Sequence, residues 1–177
     1  MTPIEKYIEG AAYHEAAHIV IAAVQGLRLR RAGLRINENG AGEASYKSKK
    51  PDGSRDLGPD SFGEGSIIAT MAGQIAHGKI YSPVADGDAN ACADLDFVQS
   101  LLAEMYSNRE DRSIAQKALF ERSRALVSQH WPAIECIGRA LWAKPWSGDA
   151  PREKRIDGEE LLALLAQQEI EAAFEEA

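Results

Sequence analysis

The feature that most constrains this chain is a short segment near its N-terminus. Residues 12–18 read AYHEAAH, and the apolar run IVIAAV follows them directly. On a helix, residues four apart lie on one face, so His14 and His18 can present two imidazole nitrogens to one metal ion. Glu15 lies beside them and can reach a water molecule on that ion. The segment therefore predicts a helix with two metal ligands and a general base on one turn, which is the zincin pattern.

Composition excludes several other classes of protein. The 177 residues fit one domain, or one domain with an appendage, and 45% of them are hydrophobic. The net charge of −7 argues against a dedicated nucleic-acid-binding protein. The longest apolar runs are too short to span a membrane, and the N-terminal segment lacks the pattern of a signal peptide. Two cysteines give no disulfide framework, so we expect a cytoplasmic protein without nucleic-acid or membrane partners.

The hydrophobic periodicity predicts a mainly α (α+β) fold with a small β-hairpin beside the motif helix. The first helix begins with Thr2-Pro3-Ile4-Glu5, a capping pattern, and extends to Val24. Gly10 is expected to weaken it and Gly26 to end it.

A strand follows at 27–36, with a bulge near Gly33, and then a turn at 37–40 and an edge strand at 41–47. Further helices are predicted at 61–78, 88–105, from 111 or 113 to 129, from 132 to before 145, and from 157 onward. Loops are predicted at 48–59, 81–87 and 147–155, and the acidic tail after Gln168 is expected to fray.

A catalytic zinc ion usually has three protein ligands, and two histidines supply only two of them. The third ligand has to come from a later part of the chain. The remaining histidines are His77 and His130, the thiols are Cys92 and Cys136, and there are many acidic residues. Spacing alone does not choose among these candidates.

Several segments resemble the peptidase domain of the FtsH-type AAA proteases. The segment AYHEAAH is similar to that family's Ala-Tyr-His-Glu-Ala-Gly-His. Four further segments resemble family motifs and follow in the same order: AGEASY at 41–46, ATMAGQIAHG at 69–78, ACADLDFV at 91–98 and IDGEEL at 156–161. The resemblance covers most of the chain; the first motif is specific, and the others are persuasive only together.

The resemblance implies Zn²⁺ as cofactor and a third ligand. The aspartate of the family's Asn-Asp-Leu aligns with Asp94, which is followed here by Leu95. Asp94 lies on a different predicted helix from His14 and His18, and a carboxylate is an ordinary zinc ligand. Asp96 is the second choice and Asp88 the third.

The resemblance also implies a strand against which an extended peptide substrate lies. That strand comprises Gly42, Glu43, Ala44, Ser45 and Tyr46. Strand addition of this kind binds a peptide through main-chain hydrogen bonds. No side chain in these motifs is evident as a stabiliser of the oxyanion beyond zinc itself.

The chain departs from the family pattern at several positions. Ala93 replaces the Asn before the aspartate, Ala17 replaces the Gly of the first motif, and His77 replaces a Glu. A polar side chain that could hydrogen-bond to the metal ligands is therefore lost at Ala93, or His77 takes its place. The chain also contains no G-x-x-x-x-G-K-[ST] loop. ATP-dependent proteolysis is therefore not implied.

These observations predict a single FtsH-like peptidase domain over 1–177, with a metal-binding core at 1–107, C-terminal helices at 108–168 and an acidic tail at 169–177. The expected function is that of a zinc metalloendopeptidase that cleaves unfolded or flexible polypeptides without ATP. The alternative is a catalytically silent, zinc-binding interaction module of the same fold. Besides the peptide or protein substrate, the expected partners are further copies of the chain or a separate ATPase.

Overall fold

The computed structural model describes residues 1–46, 62–81 and 89–174. These residues form six helices and a three-stranded antiparallel sheet, which confirms the mainly α (α+β) class. The elements are α1 (Pro3–Val24), β1 (Leu29–Asn37), β2 (Gly42–Tyr46), α2 (Phe62–Ile80), α3 (Ala89–Met105), α4 (Arg109–Gln129), α5 (Trp131–Ala143), β3 (Glu153–Ile156) and α6 (Gly158–Gln167). None of the helices in these ranges is both long and apolar enough to cross a bilayer.

Helix α1 is the central element of the core. Its N-terminus has the predicted capping box, in which Thr2 and Glu5 each accept a hydrogen bond from the backbone N–H of the other. Apart from Glu9, every residue from Ile8 to Ala23 is buried, because α2, α5, β1 and β2 all pack against this helix. A helix that is apolar on nearly all sides is stable only in such an enclosed position.

The helix also continues unbroken through Gly10, contrary to the expected weakening. A Cβ atom at Gly10 would lie 2.5 Å from Cδ2 of His77. The glycine therefore allows α2 to approach α1 closely, and this packing outweighs the low helix propensity of glycine.

The sheet has the order β2-β1-β3, so β2 is an edge strand as predicted. Leu34 of β1 pairs with Ala44, and Ile36 pairs with Gly42. The register shifts between Leu29 and Leu34, and Gly33 in this interval has a φ angle of +72°. The bulge predicted near Gly33 is thereby confirmed.

Strand β3 corrects the prediction of a loop at 147–155. Residues Glu153–Ile156 pair antiparallel with β1, and Lys154 lies opposite Ile36. Alternate residues of a strand face the same side, and here the two inward residues are Lys154, which is 8% exposed, and Ile156. Residues 153–156 show no alternation of apolar and polar side chains, because one of the two inward residues is a lysine.

The C-terminal segment also differs from expectation. Residues after Gln168 were predicted to fray, yet the N–H of Leu29 donates a hydrogen bond to the carbonyl of Ala173 over 2.9 Å. Phe174 forms a bridge with Leu29 and packs beside Gly158. This segment therefore covers the first residues of β1. The predicted loops at 48–59 and, beyond Tyr81, at 82–87 lie outside the described residues.

Lys154 joins β3 to the end of α5. Its ammonium group donates hydrogen bonds to the carbonyls of Trp142, over 2.5 Å, and Lys144, over 2.7 Å. The same group lies 4.5 Å from the ring of Trp142 and 4.8 Å from the ring of Trp146. The last carbonyls of a helix lack partners within the helix, so the lysine supplies donors that α5 needs.

We expect Lys154→Met to destabilise the protein by about 1–3 kcal/mol, because it leaves the two carbonyls without their donor while keeping most of the apolar stem. The free energy of unfolding in urea measures the effect. Lys117→Met, at an exposed position on α4, is the control and should change stability by less than about 0.5 kcal/mol. Equal stabilities of the two variants would contradict this role of Lys154.

Candidate metal centre

The histidines of the motif lie on one face of α1 and point into the core. His14 is 1% exposed and His18 is 5% exposed. Their Nε2 atoms approach each other to 2.9 Å. The four-residue spacing on a continuous helix produces this pairing, as the sequence predicted.

Asp94 completes a cluster with these histidines from α3. Its Oδ2 atom lies 3.0 Å from Nε2 of His14 and 3.2 Å from Nε2 of His18. Asp96, two residues later on the same helix, is exposed and lies outside the cluster. Asp88 and the side chain of Cys92 fall outside the described residues. Asp94 and Asp96 are the two acidic candidates for the third ligand that the structure describes. It places Asp94, rather than Asp96, against the histidines.

The hydrogen bonds of His18 fix which of its nitrogens faces the cluster. Its Nδ1 lies 2.8 Å from the carbonyl oxygen of Ala69 on α2. A carbonyl only accepts hydrogen bonds, so Nδ1 carries the proton and, in the neutral ring, Nε2 carries the lone pair. Metal-binding histidines are commonly oriented in this way, by a backbone carbonyl on the second nitrogen.

The three converging atoms fit a small cation. Two imidazole nitrogens and one carboxylate oxygen form a ligand set found at catalytic zinc sites, and Zn–ligand bonds of about 2.0–2.1 Å in a tetrahedral arrangement place ligand atoms about 3.3 Å apart. The distances of 2.9 to 3.2 Å among His14, His18 and Asp94 are close to that separation. Lone pairs facing one another at this range repel unless a proton or a cation lies among them.

The ionisation of the cluster is also suited to a cation. Burial, together with the neighbouring His18, lowers the pKa of His14 to about 4. Burial acts to lower the pKa of His18 as well, but contact with the Asp94 carboxylate outweighs it and raises that pKa to about 9. Burial acts to raise the pKa of Asp94, yet hydrogen bonding with both histidines holds it well below its usual range. The cluster thus favours a positive charge next to the Asp94 carboxylate, and a metal ion can supply that charge in place of a proton.

Gly73 of α2 leaves room for the histidine rings. A Cβ atom at this position would lie 2.5 Å from Nε2 of His18 and 2.7 Å from Nε2 of His14. No side chain other than hydrogen fits there without moving the rings. Gly73 belongs to a stretch rich in small residues at 69–73 (ATMAG), which permits the close approach of another helix but does not reveal that the approach occurs at the candidate metal ligands.

Glu15 lies beside the cluster, against the edge strand. The side chain is 3% exposed, and a Cβ atom at Gly42 would lie 2.4 Å from its Oε1. The main chain of β2 thus packs directly on the carboxylate. Gly42 therefore sets the position of the predicted base as well as belonging to the predicted substrate strand.

A cavity of about 210 Å³ opens onto these groups. Its lining includes the three candidate ligands and Glu15, together with Gly42, Glu43, Ala44, Tyr46 and Ala93. Ser45 is the exception among the predicted substrate-binding residues, since it is buried and its hydroxyl donates to Glu43. A larger cavity of about 860 Å³ lies near Leu27, Leu162 and Ile170, and none of the candidate metal ligands lines it.

The departures from the FtsH-type pattern have defined positions around the site. Ala93 lines the cavity with a methyl group, and Ala17 is fully buried within α1. His77 is buried between α1 and α2, with its ring centroid 6.1 Å from that of His14 and the two planes at 87°. Within the described parts of the chain, Nδ1 of His14 has no hydrogen-bond partner. His77 thus packs edge to face near His14.

Tyr46 contributes a polar group that the motifs did not reveal. Its hydroxyl lies 2.9 Å from Oγ1 of Thr70 on α2. The residue was predicted from the sequence only as part of a strand that binds a peptide backbone. An aromatic residue in a strand usually indicates packing, so its hydroxyl gave no separate signal.

No protein-family model matches the chain, and no curated protein sequence is significantly similar to it. The function of the chain is therefore inferred from the geometry of its site.

We expect Gly73→Ala to weaken zinc binding by about 10–100-fold, because the added methyl group displaces both imidazoles. Competition with a chromogenic chelator measures the zinc affinity. Gly78→Ala on the same helix is the matched control, since a Cβ there meets no atom within 4 Å. Zinc affinity in Gly73→Ala equal to that of the control would show that the rings do not hold the metal in this position.

Asp94→Asn should weaken zinc binding by about tenfold or more, because an amide oxygen is a poorer ligand than a carboxylate and leaves the site less negative. Asp96→Asn carries the same chemical change two residues away, at an exposed position, and should bind zinc as the wild type does. Metal content after dialysis and titration with zinc give the comparison. Wild-type affinity in Asp94→Asn would remove Asp94 from the ligand set.

Proposed function

We propose that this protein is a zinc-dependent metalloendopeptidase that hydrolyses unfolded or flexible polypeptides without ATP. The observation that carries the proposal is the convergence of His14 Nε2, His18 Nε2 and Asp94 Oδ2 within 3.2 Å of one another. Glu15 lies on the same helical turn and lines the same cavity. The combination supports metal-assisted hydrolysis over a purely structural metal site, because three protein ligands leave a tetrahedral metal with one open position.

His14, His18 and Asp94 would hold the ion. When bound, zinc supplies a Lewis acid that polarises a peptide carbonyl and makes a water molecule more acidic. The carboxylate of Glu15 takes a proton from the attacking water while the water oxygen forms a bond to the carbonyl carbon. Glu15 then gives this proton to the amide nitrogen as the C–N bond breaks, so the carboxylate is restored at the end of the cycle.

The edge strand supports a polypeptide as the substrate. Among the described residues, β2 pairs with β1 on one side only, and its residues border the cavity. Gly42 and Ala44 lie on this border, and the main chain at Gly42 packs directly against Glu15. An added strand would satisfy the unpaired main-chain groups of β2 and bring a peptide bond to the metal.

The proposal includes Zn²⁺ as cofactor and a cytoplasmic location, the latter inferred from the low cysteine content. A substrate bound mainly through its backbone has to be extended, and folded proteins rarely expose such segments. Further copies of the chain or a separate ATPase that unfolds substrates remain the proposed partners.

Glu15→Gln should retain zinc and lose about 10²–10⁴-fold in hydrolysis rate, because an amide cannot take up the proton. Casein, which is largely unfolded, is the substrate, and metal analysis is run on the same samples. Glu9→Gln, at a position before the motif on α1, serves as the control and should remain active. A zinc-loaded wild type no more active than Glu15→Gln would favour the silent zinc-binding module instead.

A further inference from the structure

Tyr46 brings a phenol into the cavity that holds the candidate metal ligands. The residue ends β2 and is half-buried, and it lines the cavity together with Glu15 and Asp94. The hydroxyl lies 2.9 Å from Oγ1 of Thr70. Thr70 gives its own proton to the carbonyl of Ser66 over 2.8 Å. Because a hydroxyl has one proton, Tyr46 is the donor in its contact with Thr70.

The surroundings keep this donor protonated. Burial raises the pKa of Tyr46 above its usual range, and the Asp94 and Glu15 carboxylates raise it further. Both carboxylates therefore lie near the phenol, one as a candidate ligand and the other as the candidate base. The phenol is thus a neutral hydrogen-bond donor of a residue that lines the cavity where peptide hydrolysis would develop negative charge.

We propose that Tyr46 is a catalytic residue whose phenol donates a hydrogen bond to the carbonyl oxygen of the scissile peptide bond. The inference rests on the proposed peptidase function. No bond of the phenol breaks: its O–H turns from the Thr70 hydroxyl to the substrate oxygen, and the proton stays on Tyr46. The substrate oxygen is neutral in the bound peptide and negative in the tetrahedral state, so the hydrogen bond strengthens as the reaction proceeds.

Thr70 suits the role of a resting partner. It is 3% exposed on α2 and offers a neutral oxygen, which is a weaker hydrogen-bond acceptor than a negatively charged substrate oxygen. The opposing explanation is that the contact only ties the edge strand to α2. The two explanations differ in what happens when the contact is removed from the Thr70 side, because the phenol then remains in the cavity.

The experiment compares Tyr46→Phe with Thr70→Val in the full, zinc-loaded chain. Both variants remove the same hydrogen bond, but only Tyr46→Phe removes the phenol. With a fluorogenic peptide, Tyr46→Phe should lose about 100-fold in kcat with KM little changed, and Thr70→Val should stay within about threefold of the wild type. Equal losses in the two variants, or a loss of zinc in Tyr46→Phe, would assign the phenol a structural role and overturn the inference.

A second measurement does not require turnover. A blocked phosphinic pseudotetrapeptide of alanine and phenylalanine carries a tetrahedral phosphorus in place of the scissile carbonyl carbon, with one oxygen in the place of the oxyanion. Tyr46→Phe should bind it about tenfold or more weakly than the wild type, while Thr70→Val should bind it as the wild type does. Equal binding by Tyr46→Phe and wild type overturns the inference.

The two measurements separate failure of the inference from failure of the proposed function. A wild type that binds the phosphinic compound but does not cleave peptides rejects the peptidase proposal, and the binding comparison still decides the role of Tyr46. A wild type that neither cleaves peptides nor binds the compound overturns both. Cleavage by the wild type with unchanged kcat in Tyr46→Phe rejects only the role of Tyr46.

Discussion

The structure depends on burying three ionisable side chains on one turn of its central helix. His14, Glu15 and His18 are all at most 5% exposed. Burial of such groups is costly unless each has a partner, and α1 cannot supply the partners itself. They come from other elements: Ala69 O on α2 and Asp94 on α3 reach the histidines, and β2 packs on Glu15. The requirements of one helical turn thus determine where three other elements lie.

Much of this arrangement could be predicted from the sequence, because it follows from local patterns. The capping residues of α1, the bulge near Gly33 and the edge position of β2 depend on neighbouring residues, and the structure confirms them. Asp94 was named through a resemblance rather than through spacing, since its contact with the histidines joins helices that are far apart in the chain.

The features that sequence reasoning missed depend on contacts between distant elements. The sequence pattern predicts a loop at β3, since the inward Lys154 interrupts the apolar face of the strand. This lysine donates to carbonyls of α5, a contact that no periodicity reveals. The tail after Gln168 is held by a hydrogen bond to Leu29, at the opposite end of the chain. Gly73 is a small residue whose neighbours are the imidazoles of the site, and no local pattern identifies them. In each case the residue type was visible and the tertiary partner was not.

The contact between Gly42 and Glu15 has a consequence for selectivity in the proposed function. A strand that binds a peptide through its main chain recognises extension of the backbone and is largely indifferent to side-chain identity. Because the same main chain packs on Glu15, the proposed base, a polypeptide that could not lie flat along β2 would also fail to bring its peptide bond into line with Glu15. Such a site would sort polypeptides by conformational state rather than by sequence, acting as a sensor of disorder in its substrates.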